Sequence, residues 1–224
     1  MKILLIAGHG QGDSGAVGCD LVEAEETRAL LSLVYEKLKD YVTAVRYDTS
    51  VDCYQQSKAG NVPNYALYDY VVELHMNSYS DPSAHGSEIL IHTSEPAHTV
   101  EDEILENLAD IGFTNRGVKR RSNLLNMNNC RGRGVSYALI ETCFISNWED
   151  VGLYNKNKSK IAGAIASGIL DGFGIKHDSG SADVPANDGV LYRVQVGAYR
   201  NKANAEAMKN RLKADGYDCI IKVD

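Results

Sequence analysis

The sequence predicts an α/β fold: a mostly parallel, twisted sheet flanked by helices over residues 1–176, then a linker at 177–189 and a small β-α-β module at 190–224. Three observations lead there. Strand-length apolar runs alternate with stretches of helical period, the rhythm of a parallel sheet covered on its faces. The thirteen small and polar residues from 177 to 189 carry no apolar period, which is linker composition. Charge divides at the same place, since residues 190–224 hold seven cations against four acids and the remainder 16 against 26.

The chain has 224 residues, 44% hydrophobic and 24% charged, which excludes a disordered or fibrous protein and is enough to bury a sizeable core. A net charge of −7 argues against a nucleic-acid partner. No apolar run approaches the roughly 20 residues of a membrane span, so no membrane insertion is expected. The apolar run at 3–7 is too short for a signal peptide and is cut off by Gly8-His9-Gly10, which predicts synthesis in the cytoplasm without a leader. Cys19, Cys53, Cys130, Cys143 and Cys219 are odd in number and scattered, and they read as reduced, mostly buried thiols.

In order, residues 2–7 form the first strand, and 20–41 a helix with Leu30, Val34, Leu38 and Tyr41 on one face. Strands follow at 42–47, 68–75 and 87–92, then a helix near 97–112 and a strand at 137–141. The last helix of the domain, near 158–173, is buried along Ile161, Ile165 and Ile169. In the tail, 191–199 alternates as a strand, Ala205, Met208 and Leu212 space as a helix ended by Gly216, and 217–223 reads as a second strand.

Parallel sheets gather functional groups at the carboxyl ends of their strands. Three strands deliver polar residues there: the first runs into Gly8-His9-Gly10, the third into His75-Met76-Asn77, and the strand at 137–141 into Glu141-Thr142-Cys143. The first loop, Gly10-Gln11-Gly12-Asp13-Ser14-Gly15, also satisfies the dinucleotide pattern G-x-G-x-x-G. That reading requires the helix to start within the glycines and face a pyrophosphate, whereas the helical period begins near Asp20. The competing reading takes His9 as a metal ligand, with Glu23 at the start of the helix and His75 on a neighbouring strand. Two imidazoles and one carboxylate, with a fourth position left open, form a ligand set of catalytic zinc. Glu26 lies one helical step from Glu23 and competes with it for this role.

These residues stand in four motifs: Gly8-His9-Gly10 followed by Asp13 and Gly15; Glu23 followed by Thr27-Arg28; Leu74-His75-Met76-Asn77 with Gly86-Ser87-Glu88 after it; and Glu141-Thr142-Cys143-Phe144-Ile145-Ser146-Asn147. Occurring in this order across residues 1–175, they resemble the zinc-dependent N-acetylmuramoyl-L-alanine amidases of the amidase-3 type, wall-lytic enzymes of bacteria and their phages. The resemblance implies a phosphorylase/hydrolase-like fold and one zinc ion held by His9, Glu23 and His75. It also implies hydrolysis of the amide between N-acetylmuramic acid and the L-alanine of the stem peptide, with Glu141 moving the proton. Asn77 and Asn126 are expected to contact substrate.

In the tail, the string from Tyr192 to Tyr199 followed by Asn204-Ala205-Glu206-Ala207 resembles the opening of SPOR domains, which bind glycan strands denuded of stem peptides. The resemblance implies glycan contacts from Tyr192, Gln195 and Tyr199. At 35 residues the module is short for autonomous folding, which predicts pairing of two tails in a homodimer, with packing onto its own catalytic domain as the alternative. Together these readings predict a peptidoglycan hydrolase acting at the bacterial wall after release, an endolysin by its missing leader. The alternatives are a host autolysin or sporulation amidase and a catalytically inert wall-binding protein.

Overall fold

The apolar run at the amino terminus is strand β1 (Lys2–Ala7), fully buried from Ile3 onward. Burial on both faces is what a central parallel strand requires, and it explains why the run shows no alternation. The computed structural model of the protein describes residues 1–95, 99–177, 202–214 and 221. After β1 come a small antiparallel pair, β2 (Val17–Gly18) and β3 (Leu21–Val22), helix α1 (Glu23–Leu38), β4 (Thr43–Arg46) and α2 (Cys53–Lys58). Then follow β5 (Tyr70–Asn77), β6 (Ser87–His92), α3 (Thr99–Ile111), β7 (Asn115–Arg121), α4 (Leu125–Arg131), β8 (Ser136–Phe144) and α5 (Trp148–Gly172).

Six strands form one sheet in the order β4-β1-β5-β8-β6-β7. All neighbouring pairs are parallel except β6 with β8, so the sheet is mostly parallel with one reversal. One face buries Ile3, Leu5, Val72, Leu74, Ile89, Ile91 and Ile140 with α1, α3 and α5. The other buries Leu4, Ile6, Val71, Tyr137 and Leu139 with Met127 and Cys130 of α4 and Cys53 of α2. The register sets His75 opposite Glu141, and Glu141 opposite Glu88, so these three stand in a row across β5, β8 and β6.

The sequence reading places β1 and β6 at their observed bounds and omits β7, α2 and α4. Helix α5 begins ten residues before the predicted start: Asn147 accepts a hydrogen bond from the Asp150 amide at 2.9 Å to cap it, and Asn157, at φ −127°, kinks it where the predicted period starts. On α5, Gly168 lies against the α3 backbone, and a Cβ there would sit 2.6 Å from the Ile104 nitrogen. Gly168→Ala should therefore force the two helices apart at a cost of about 1–3 kcal/mol, read as a fall of several degrees in Tm. An unchanged melting curve would contradict this close approach.

The chain divides into two compact units, Met1–Ala182 and Asp183–Asp224. In the second, helix α6 (Lys202–Ala214) is described and contains the predicted Ala205, Met208 and Leu212. The two predicted tail strands, Tyr192, Gln195 and Tyr199 lie outside the described residues, apart from Ile221. No helix among the described residues is long and apolar enough to cross a membrane. Cys53, Cys130 and Cys143 are buried free thiols, and Cys19 is a half-buried one.

Candidate metal centre

Strand β1 ends in a loop that turns abruptly, with His9 itself in the left-handed region at φ 61°. That conformation costs a non-glycine residue on the order of 1–2 kcal/mol and persists only where the surroundings fix it. The surroundings come from α1. Thr27 Oγ1 donates to the Gly8 carbonyl at 3.0 Å. Arg28 spreads its guanidinium over the carbonyls of Gly8, His9, Ala24, Thr49 and Val51 at 2.7–3.2 Å. The loop repays α1, because its Ser14 and Ala16 carbonyls accept the Ala24 and Glu23 amides, two of the four N–H groups a helix start leaves unbonded. The motif Glu23…Thr27-Arg28 is thus the device that holds the His9 loop onto the helix.

Glu23 is 3% exposed and lies between the two histidines. Its Oε1 is 2.9 Å from His75 Nδ1 and accepts the Met76 amide at 2.9 Å. Its Oε2 is 3.2 Å from His9 Nε2 and accepts the Ala16 amide at 2.9 Å. Burial opposes the charge on Glu23, but the hydrogen bonds from His75 and His9 outweigh it and hold the carboxyl well below the usual range. His9 is raised chiefly by its bond to Glu23. His75 is raised too: burial pulls it down, and Glu23 and Glu73 more than reverse this. Glu26 is not part of the group, since its carboxylate pairs with Lys158 Nζ at 2.6 Å.

One ligand atom each from His9, Glu23 and His75 lies within 4.8 Å of the others, the spacing of donors around a single ion. Space has been left for them. A Cβ on Gly15 would come 2.6 Å from both Glu23 Oε2 and His9 Cδ2, and one on Gly8 would overlap the His75 ring. A second grouping, His9 with Asp13 and Asp52, shares His9, whose Nδ1 is 3.0 Å from Asp13 Oδ2. Two imidazoles and a carboxylate match zinc's preference better than one imidazole and two carboxylates. Asp13 accordingly reads as the carboxylate that orients His9.

Glu141 stands opposite His75 across β5 and β8 and belongs to no ligand grouping among the described residues. Its Oε2 is buried and has no hydrogen-bond partner. Burial, with Glu23 and Glu88 adding to it against the pull of His75, pushes its carboxyl up to about 7. A carboxyl titrating near neutrality, with an idle oxygen, can both take and return a proton.

The remaining predicted contacts differ in exposure. Asn77, at the end of β5, donates to Glu88 Oε1 at 3.1 Å, and Glu88 also pairs with Arg116 at 2.9 Å. Asn126 is 4% exposed; its side-chain amide donates to Glu73 Oε2 at 3.0 Å, and its Oδ1 is buried without a hydrogen-bond partner. The glycine-rich loop does not open a helix: α1 starts eight residues after Gly15, with β2 and β3 between, which removes the dinucleotide reading. Asp13 stands in the first motif and strand alternation sets Glu73 on the face of His75, whereas no sequence signal points to Tyr137.

The chain is similar to known proteins in sequence and in fold. Residues 3–171 match the family described as N-acetylmuramoyl-L-alanine amidase, and residues 175–223 match the SPOR domain. A protein called probable autolysin PH, from Staphylococcus aureus, is 30% identical over 260 residues, an alignment that takes in 99% of this chain and 51% of that protein. The chain thus spans about half the length of that relative. The sporulation-specific N-acetylmuramoyl-L-alanine amidase of Bacillus subtilis is 28% identical over 234 residues, covering 99% of this chain and 84% of that one. Among solved structures, the catalytic domain of the CD27L endolysin targeting Clostridia Difficile superposes with a TM-score of 0.64 at 25% identity, over 76% of this chain and 97% of that domain. With three quarters of its length inside the match, and with the sheet that the match implies, the chain belongs to the N-acetylmuramoyl-L-alanine amidase family and carries a SPOR domain after the part that matches it.

Proposed function

We propose that the chain hydrolyses the amide joining N-acetylmuramic acid to the L-alanine of the peptidoglycan stem peptide, with zinc held by His9, Glu23 and His75 and with Glu141 as the group that moves the proton. The observation that carries this reading is the His9-Glu23-His75 grouping within 4.8 Å, beside a buried carboxyl with an unpartnered oxygen. When bound, zinc supplies Lewis-acid activation of water and of the scissile carbonyl. The protein's own part is the rest. His9 Nδ1 bonds to Asp13, and Glu23 is fixed by two backbone amides, which hold these ligands in place. Glu141 accepts a proton from the attacking water through Oε2 and returns it to the alanine nitrogen as the amide breaks. Asn77 contacts the stem peptide; its hydrogen bond to Glu88, the neighbour of Glu141 across the sheet, supports this role.

The reaction is the one in the name of the sporulation-specific amidase of Bacillus subtilis, and the other two relatives are named an autolysin and an endolysin. In this reading residues 1–176 are catalytic, 177–189 link, and 190–224 bind the glycan strand that the reaction leaves bare, so the protein works at the bacterial wall. Incubation with purified peptidoglycan should release L-alanine amino groups with no new reducing sugar, and a chelator should stop it. New reducing ends would mark a glycosidase. Amino groups of any other residue would mark a peptidase. Zinc content near one per chain is expected, and an active chain free of zinc would overturn the ligand assignment.

A further inference from the structure

We propose that Glu73 is a positioning residue for the metal centre: anchored by Tyr137 and Asn126, its carboxylate takes the Nε2 side of His75 and turns Nδ1 toward Glu23 and the ion. This deepens the metal reading given above and rests on it.

Glu73 stands on the face of β5 that packs with α2 and α4, in a layer otherwise built from Leu4, Ile6, Tyr65, Met127, Cys130 and Leu139. It is 4% exposed. An ionised carboxylate in such a layer costs several kcal/mol unless it is paired and hydrogen-bonded, and for packing alone a leucine would serve better. Here every bond is made. Oε1 lies 3.1 Å from His75 Nε2, while Oε2 accepts from Tyr137 OH at 2.7 Å and Asn126 Nδ2 at 3.0 Å.

The two neutral donors come from β8 and α4, elements other than the one bearing His75. They fix the carboxylate independently of the ring, so the carboxylate can dictate the ring's tautomer. With Nε2–H donating to Glu73, the lone pair is left on Nδ1, which is the nitrogen facing Glu23 at 2.9 Å. The other tautomer would set the Nε2 lone pair against Glu73 and leave none on Nδ1 for the ion; without the ion, Nδ1 also carries a proton toward Glu23, which the metal displaces. Residues that orient a ligating histidine in this way typically support metal affinity by 10–100-fold. His9 has a lesser counterpart in Asp13, whose side chain is 38% exposed and therefore more screened.

The test uses the full chain, stripped of metal, as Glu73→Gln and Tyr137→Phe. Glutamine keeps the shape, but its NH₂ must face either Nε2, reversing the tautomer, or the two donors that hold it. Zinc dissociation constants are read by competition with a chromogenic chelator, and the visible spectrum is read with cobalt in the site. Glu73→Gln should bind zinc about 10–100-fold more weakly, with an altered cobalt spectrum, and Tyr137→Phe should weaken zinc a few-fold. Both should keep the parent's circular dichroism. Variants that bind within twofold of the parent, with its cobalt spectrum, would overturn the role of Glu73 and leave the metal reading standing. If the parent itself takes up no zinc, both fall. Should Glu73→Gln fail to fold, Tyr137→Phe decides.

Discussion

Replacing Glu141 by glutamine is expected to stop catalysis, leave the metal bound, and make the metal-free protein more stable above neutral pH. The first two effects follow from position, since Glu141 is outside the His9-Glu23-His75 grouping and its Oε2 is unpartnered. Loss of a group that both accepts and donates the proton lowers kcat by about 10²–10⁴-fold. The third follows from linkage. Burial raises the Glu141 carboxyl from 4.5 in the unfolded chain to about 7 in the folded one. A raised folded-state pKa contributes stability that is complete below about 4.5 and is lost as pH rises through about 7, so at pH 8.5 the ionised, buried carboxylate weighs about 3 kcal/mol against folding. Glutamine carries no such charge at any pH. Urea titrations of chelator-treated parent and variant should give a stability difference that widens in the variant's favour by about 3 kcal/mol between pH 4 and 8.5. Parallel pH curves for the two proteins would refute the raised carboxyl. A site that stores this cost for the sake of a poised proton is the usual exchange of stability for activity.

What the sequence discloses about the site tracks how locally each part is built. His9, His75 and Glu141 each follow or end an apolar strand, and Glu23 opens a helix, so strand and helix periods alone bring them to one edge of the sheet. Asn126 and Glu73 are 53 positions apart, and α4 was not anticipated, because its Leu125-Asn126-Met127-Asn128-Asn129 opening has poor helix propensity and no side-chain cap. The pairing of Asn126 with Glu73 is therefore a contact that the local sequence does not indicate. Strand β7 was missed for a related reason. Asn115-Arg116-Gly117-Val118-Lys119-Arg120-Arg121 is cationic and contains a glycine, a composition tolerated at the sheet edge, where β7 has one partner. The reversal of β6 against β8 leaves no mark in the sequence for a different reason: both are interior strands, apolar at their centres whichever way they run.

Truncating Glu23 should separate it sharply from its neighbour Glu26. The two carboxylates lie one helical step apart and are equivalent by sequence, but they face different surroundings: Glu23 meets both histidines, and Glu26 meets Lys158. A four-coordinate zinc site is worth roughly 10–16 kcal/mol, or about 3–4 kcal/mol per ligand, so Glu23→Ala should weaken zinc by about 10²–10³-fold. The loss extends beyond one oxygen, because Glu23 also ties down the amides of Ala16 and Met76, which carry the loop after His9 and the residue after His75. Without those anchors the histidines lose their fixed separation. His9, in its left-handed backbone conformation, also loses the side-chain partner that compensates its strain. Glu26→Ala breaks a partly exposed ion pair, should cost about 1 kcal/mol or less of stability, and should leave zinc affinity within twofold. The comparison is made by chelator competition on both variants at one pH, because His9 and His75 hold protons that the metal must displace. Equal zinc affinity in Glu23→Ala and Glu26→Ala would remove Glu23 from the ligand set, and a loss confined to Glu26→Ala would exchange their roles.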